Sequence, residues 1–175
     1  SILTAYNALG TKVCDLLDGV FSFILYDKEN DCVIVSRDPY GVRPLYECVY
    51  ENGNICFASD LAPLLYDEKI KKIKQFEPGT YCVYKYINEI STFRVQKREK
   101  YFHTKSILPD DNISPLSEIH YMSEFVKHLR NSIQKRVNNC ERQIACLLSG
   151  GLDSSIITAY VNKFYKEKTG KSVET

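Results

Sequence analysis

Seven consecutive residues carry most of the chemistry legible in this chain: Ser149-Gly150-Gly151-Leu152-Asp153-Ser154-Ser155. Two glycines let a backbone turn tightly and approach a ligand closely. The hydroxyls of Ser149, Ser154 and Ser155 can donate to phosphate oxygens. If a helix starts here, its unpaired N–H groups and its dipole also favour an anion. The chemistry predicted is therefore capture of an anion, and of a phosphate chain in particular. The stretch lacks the spacing and the lysine of GxxxxGK[ST], and it is not GxGxxG. Asp153 would repel phosphate by itself, and makes sense where Mg²⁺ bridges its carboxylate to the ligand. The competing reading is a plain helix start, with aspartate and serines as caps after a glycine turn.

The flanking sequence is expected to position this loop. Ile144-Ala145-Cys146-Leu147-Leu148 is a short unbroken apolar run, read as a strand buried on both faces. Ser155 to Tyr165 reads as a helix with Ile156, Ile157, Tyr160, Val161 and Phe164 on one side. A longer helix is predicted upstream, starting at Ser114-Pro115 and carrying Ile119, Met122, Phe125 or Val126, Leu129, Ile133 and Val137 at three-to-four spacing. Helix, buried strand, glycine turn and helix open an α/β domain, whose ligands sit at the carboxyl ends of strands.

Residues 1–100 have another character. Leu3 to Leu17 suggests a helix with Leu3, Tyr6, Leu9, Val13 and Leu16 or Leu17 near one face. Val20–Tyr26, with apolar residues on both faces, reads as a central strand. It forms a hairpin with Cys32–Ser36 through a polar turn. Leu45–Tyr50 and Ile55–Ala58 flank Asn52-Gly53, a hairpin signal that calls for positive φ at both turn residues. Thr80–Tyr86 and Ser91–Gln96 suggest a further hairpin, whereas lysine-rich Lys69–Lys74 reads as solvated surface. Arg37-Asp38-Pro39-Tyr40-Gly41-Val42-Arg43 is either a turn with structural charges or a loop shaping a pocket; the roles of Arg37, Asp38 and Arg43 stay open. This block is an α+β layer with an antiparallel sheet. Residues 104–115, rich in Pro, Asp and Asn, have a linker composition.

The chain has 175 residues, with 23 Lys plus Arg against 22 Asp plus Glu and a net charge of +1. That balance provides no global drive toward nucleic acid or an acidic membrane, so neither is an expected partner. No apolar run reaches the roughly 18 residues of a membrane span, and no secretory leader is visible. The seven cysteines include no CxxC and are read as free thiols. His103, His120 and His128 are too scattered for a zinc site. A cytoplasmic protein is expected. The chain opens on Ser1 and reads as an internal piece of something longer.

Ser149 to Ser155 resembles the PP-loop of the ATP pyrophosphatase superfamily, which cleaves ATP between the α and β phosphates. Asp18-Gly19-Val20-Phe21-Ser22-Phe23-Ile24-Leu25-Tyr26-Asp27 and Ser36-Arg37-Asp38-Pro39-Tyr40-Gly41-Val42-Arg43-Pro44-Leu45-Tyr46 resemble the later half of a class II glutamine amidotransferase domain. Phe57-Ala58-Ser59-Asp60 and Phe76-Glu77-Pro78-Gly79-Thr80-Tyr81 continue that likeness. Glutaminase followed by PP-loop is the order of the glutamine-hydrolysing asparagine synthetases.

The resemblance implies an N-terminal-nucleophile glutaminase-type α+β domain (later half) over residues 1–103, a linker over 104–115, and the start of an α/β PP-loop (adenine nucleotide alpha hydrolase-like) domain over 116–175. It also implies ATP and Mg²⁺, with glutamine and aspartate as further small-molecule substrates, and is compatible with a homodimeric full-length enzyme. Ser149, Gly150, Gly151, Asp153, Ser154 and Ser155 would then hold the pyrophosphate, Asp153 with Mg²⁺. Leu148 would meet the adenine or its sugar through its backbone. The family's nucleophilic cysteine and its glutamine-holding Arg, Asn-Gly and Asp motifs are expected upstream of the matched region, so the fragment alone is expected to be inactive. Asp60 stands where the family usually has Glu. A β-lactam synthetase-like enzyme with another acceptor, or a non-catalytic nucleotide-binding scaffold, are the alternatives.

Overall fold

The computed structural model describes residues 1–103 and 115–175, without the side chains of residues 115 and 116. It divides into two compact units, Ser1–Ser106 and Ile107–Thr175. The sequence-predicted linker lies outside the described residues except for Pro115, which begins a helix. No helix among the described residues is long and apolar enough to cross a membrane.

The first unit is built on two antiparallel sheets. One has the order β1-β2-β6-β7, from Ser22–Asp27, Cys32–Arg37, Thr80–Ile87 and Thr92–Lys100. The other has the order β4-β3-β5, from Ile55–Ala58, Tyr46–Tyr50 and Ile70–Gln75. Alternation divides the side chains of the larger sheet between two layers. Val35, Cys82 and Tyr84 pack with Leu45 and Phe76, joined by Val33, Phe93, Ile55 and Phe57. The opposite face supplies Ile34, Cys32 and Tyr81 to clusters with Val13, Cys14 and Tyr6 from helices α1 (Ile2–Leu9) and α2 (Val13–Leu16). The order is helix, sheet, sheet, and burying both faces of the central sheet removes most of its apolar surface from water.

Several expectations need correcting. The predicted Leu3–Leu17 helix is broken at Gly10, whose φ is +59°, and a 3₁₀ turn at Gly10–Lys12 follows. Rotation at that break turns Leu3, Leu9 and Leu16 outward, and it is Val13 and Cys14 that are buried. Strand β1 is an edge rather than a central strand among the described residues. Ile24 pairs with Val35 and shares its face, yet is exposed. At Asn52-Gly53 only the glycine has positive φ. Tyr50 N donates to Asn54 O at 2.8 Å and Gly53 N to Tyr50 O at 2.9 Å, giving a three-residue loop with glycine in the left-handed position. Lys69–Lys74 is largely strand β5. It is an edge strand whose exposed Lys71, Lys72 and Lys74 discourage pairing with another chain.

The second unit contains α3 (Pro115–Asn139) and α4 (Leu152–Thr169). They pack through Ile133, Val137, Phe164 and Tyr165, with Leu129, Ile144, Tyr160, Val161 and Val173 around them. The predicted stripe on α3 is buried only in its second half; Ile119, Met122, Phe125 and Val126 are exposed.

Candidate functional site

The loop 149–155 is placed by contacts on both sides. Upstream, the predicted strand Ile144–Leu148 is reduced to a single parallel bridge, Ala145 to Glu174, with Cys146 N donating to Glu174 O at 2.8 Å. It is not a strand buried on both faces: Leu147 is 98% exposed and Leu148 is half-exposed. A two-faced strand needs neighbours on each side, and the described part of this unit provides one short partner. That partner is itself anchored. Val173 N donates to Asn162 Oδ1 at 3.1 Å, and Gln143 Nε2 donates to Glu174 Oε1 at 2.7 Å.

Downstream, α4 starts at Leu152 with Gly151 as its N-cap in extended conformation, and no side chain caps it. The sequence placed this start three residues later, at Ser155. Gly150 has φ +81°, the left-handed region where a side chain is strained, and a Cβ there would meet no atom within 4 Å. The turn therefore needs glycine for its backbone and leaves open space beside it. The hydroxyls gather at this point. Ser149 Oγ and Ser154 Oγ are 3.0 Å apart, while Ser154 and Ser155 donate to Gly151 O at 3.0 and 2.7 Å. Asp153 lies exposed in the first turn of α4. Thus Ser149, Gly150, Gly151, Asp153, Ser154 and Ser155 come together at one uncapped helix start, with Leu148 leading into it.

Hydroxyl and backbone N–H donors with one acidic side chain suit a polyphosphate carried with a divalent cation. Mg²⁺ typically takes one or two carboxylates and completes its shell with phosphate oxygens and water. Among the described residues no three His, Cys, Asp or Glu side chains cluster for a metal. One carboxylate beside hydroxyl and backbone donors is compatible with that chemistry.

A positioning residue that the sequence reading missed is Lys168. From the last turn of α4 its ammonium donates to Val137 O, Asn138 O and Cys140 O, at 3.1, 3.0 and 2.6 Å. It satisfies the orphan carbonyls at the end of α3 and fixes that end against α4. A lysine near a helix end is visible in sequence, but its partners lie 28 to 31 residues away.

In the first unit, the Arg37–Arg43 loop closes on itself. Arg37 is 2% exposed and Asp38 1%. Arg37 donates from Nε to Arg43 O, from Nη1 to Phe76 O and from Nη2 to Gly41 O, at 2.7, 2.7 and 2.6 Å. The Asp38 carboxylate accepts from the backbone N–H groups of Tyr40, Val42 and Arg43 at 3.0 to 3.1 Å. Burial pushes that carboxyl up, but these N–H donors outweigh it and hold it below the ordinary carboxylate range. Gly41 has φ +63°, and a Cβ would come within 2.7 Å of Pro78 Cγ and 2.8 Å of Arg37 Cζ. Arg37 and Asp38 are thus structural charges of a turn, while Tyr40, Val42 and Arg43 are exposed. Asp60 is likewise a turn former, its carboxylate accepting from Ala62 N at 3.0 Å.

A second buried charge escaped the sequence reading. Glu47 on β3, 3% exposed, meets Lys74 of β5 at 3.2 Å and Arg98 of β7 at 2.5 Å. Arg98 also donates to Tyr84 Oη at 3.1 Å, so one guanidinium ties the two sheets together.

Comparison with known proteins follows the same two-part division. Residues 1–111 match the glutamine amidotransferase domain family model, and residues 124–175 match that of asparagine synthase. The glutamine-hydrolysing asparagine synthetases of Homo sapiens, Gallus gallus and Rattus norvegicus are 34, 33 and 35% identical to the chain. Each alignment covers 95% of this chain and 31% of the relative. The chain thus spans about a third of the length of the curated relatives it matches. It belongs to the glutamine amidotransferase domain family, with a segment similar to asparagine synthase following it.

Proposed function

We propose that the chain is a segment of an ATP-dependent amidotransferase that makes asparagine from aspartate and glutamine. On this reading residues 1–103 are the later half of an N-terminal-nucleophile glutaminase domain and 104–115 the linker. Residues 116–175 open a PP-loop domain. The whole enzyme hydrolyses glutamine to glutamate and ammonia. Aspartate's side-chain carboxylate attacks the α-phosphorus of ATP, giving β-aspartyl-AMP and pyrophosphate. Ammonia then displaces AMP to give asparagine. The enzyme is assigned to the cytoplasm and compatible with a homodimer.

The observation that carries this reading is the uncapped start of α4 behind a left-handed Gly150, with three serine hydroxyls gathered beside it. It sits in a chain that matches both family models in the expected order. The free N–H groups and the hydroxyls of Ser149, Ser154 and Ser155 hold the leaving pyrophosphate, where negative charge builds in the transition state. Leu148 borders the nucleoside through its backbone. Asp153 supplies the carboxylate for Mg²⁺. The bound ion would neutralise phosphate charge and orient the leaving group.

The test is exchange of labelled pyrophosphate into ATP by the full-length protein, with each candidate acceptor. Aspartate-dependent exchange, with asparagine formed when glutamine is added, is the expected result. Exchange driven only by another carboxylate would point to a β-lactam synthetase-like acceptor. No exchange with any acceptor would leave a nucleotide-binding scaffold. The 175-residue chain alone should release no glutamate from glutamine.

A further inference from the structure

Seven cysteines are free, and two of them stand directly opposite one another. Cys48 on β3 and Cys56 on β4 are register partners in the antiparallel hairpin 46–58. Cys48 is fully buried and Cys56 is half-buried. Tyr50 and Asn54, two places along the same ladder, are joined by a 2.8 Å hydrogen bond from Tyr50 N to Asn54 O. The alternation of an antiparallel ladder therefore makes Cys48 and Cys56 a hydrogen-bonded pair, with Cα atoms about 5.5 Å apart. That separation lies within the range that a disulfide spans, about 4.4–6.8 Å. The two thiols also interact. Burial first, and then the neighbouring Cys56 sulfur, push the Cys48 thiol up to about 12. The Tyr50 hydroxyl, engaged by Asp67 and by Cys56, is likewise pushed up to about 12.

We propose that Cys48 and Cys56 form a thiol–disulfide site, a cross-strand pair that small disulfides of the glutathione type close reversibly. This inference does not rest on the synthetase reading. The more exposed thiol reacts first. The Cys56 thiolate attacks one sulfur of glutathione disulfide, which breaks its S–S bond and releases one glutathione thiolate. Cys48 then attacks the Cys56 sulfur of the mixed disulfide, giving up its proton to solvent, and the second glutathione leaves as a thiolate and is protonated. Two protein thiols and one glutathione disulfide become one protein disulfide and two glutathiones, so two electrons pass from the pair to the oxidant. At a hydrogen-bonded position the Cβ atoms start farther apart than a relaxed disulfide prefers. The bond is thus strained, and a strained bond is readily reduced. Closure would also take Cys56 away from Tyr50, on the side of the hairpin that holds Asp67.

The test is made on the 175-residue chain in native buffer with glutathione disulfide, followed by alkylation of remaining thiols and peptide mass mapping. The expected product joins the Cys48 and Cys56 peptides, with Cys14, Cys32, Cys82, Cys140 and Cys146 alkylated, and it opens on addition of reduced glutathione. In urea the same treatment should scramble all seven cysteines. A native pattern as scrambled as the urea one would overturn the proposal, as would a persistent glutathione adduct on Cys56 with Cys48 free. In Cys48→Ser that adduct is expected to persist on Cys56. In Cys56→Ser, Cys48 should resist the oxidant. The unsubstituted chain decides the matter if either variant fails to fold.

Discussion

Two loops follow apolar segments in this chain, and they spend their polar groups in opposite ways. In the loop 37–43 every charge that is buried is satisfied within the loop or by the strand ends beside it: three carbonyls for Arg37, three N–H groups for Asp38. In the loop 149–155 the backbone start of α4 is left without a side-chain cap, and its hydroxyls lie at an open surface. Both need a left-handed glycine, yet Gly41 is walled in and Gly150 is not. A loop that consumes its own donors is part of the scaffold. A loop that leaves the backbone N–H groups of a helix start uncapped at the surface is disposed to take a ligand, because an unmet donor costs little in water and gains most when an anion arrives.

The largest effect that would sharpen this contrast concerns Asp153. On the proposed function, the test is made in the full-length protein, where Asp153→Asn keeps size and removes charge. Synthetase turnover should fall by about 10²-fold or more, comparable to losing one electrostatic stabiliser, while glutamine hydrolysis persists. Near-normal asparagine formation would reduce Asp153 to an acidic residue of the first helical turn.

Next come the glycines. Gly41→Ala meets both a strained φ and solid neighbours, and is expected to cost about 2–4 kcal/mol, adding left-handed strain and steric overlap. Gly150→Ala meets only the strain, about 1–2 kcal/mol, and should weaken ATP binding more than it lowers the melting temperature. Equal thermal losses for the two would erase the distinction between walled and open turns.

Asp38→Asn should destabilise the first unit by about 1.5–3 kcal/mol near neutral pH, the scale of hydrogen bonds to a charged group. The Asp38 carboxyl is held below its ordinary value, so its contribution is complete above about pH 4–5 and is lost as pH falls through the lower folded value. The gap between wild type and variant in denaturant melts should therefore shrink in acid. A gap that widened in acid would contradict the assignment. The smallest effect is expected for Ser155→Ala, which removes a hydroxyl that bonds only Gly151 O. Stability should change by about 0.5 kcal/mol or less, while nucleotide binding weakens.

Much of this was legible from local signals. Hairpins β1–β2, β3–β4 and β6–β7 follow from aromatic and β-branched runs broken by turn residues, and the glycine turn that leads into α4 follows from the composition of residues 149–155. What escaped depends on partners distant in sequence. Strand β5 is half lysine, which carries little strand preference, and it exists because β3 pairs with it. The outward turn of Leu3, Leu9 and Leu16 depends on a break at Gly10 that periodicity alone does not register. Glu47 reads as one more surface acid until Arg98, 51 residues away, is brought across to it. At the candidate site the residues that gather are local in sequence, but the short bridge that leads into them depends on Glu174.

Gly79 gathers several of these long-range ties in one residue. Its N–H donates to Asp38 O at 2.9 Å, and its carbonyl accepts from Tyr101 N and Phe102 N at 2.9 and 3.2 Å. A Cβ there would press within 3.0 Å of Phe102. The end of β2, the start of β6 and the end of β7 are thus knotted at a point that sequence alone would label a surface turn. In amide hydrogen exchange such a knot has a distinct signature. The amides of Gly79, Tyr101 and Phe102 should exchange on the timescale of the central strands rather than that of loops, and should be released together, in a single cooperative opening.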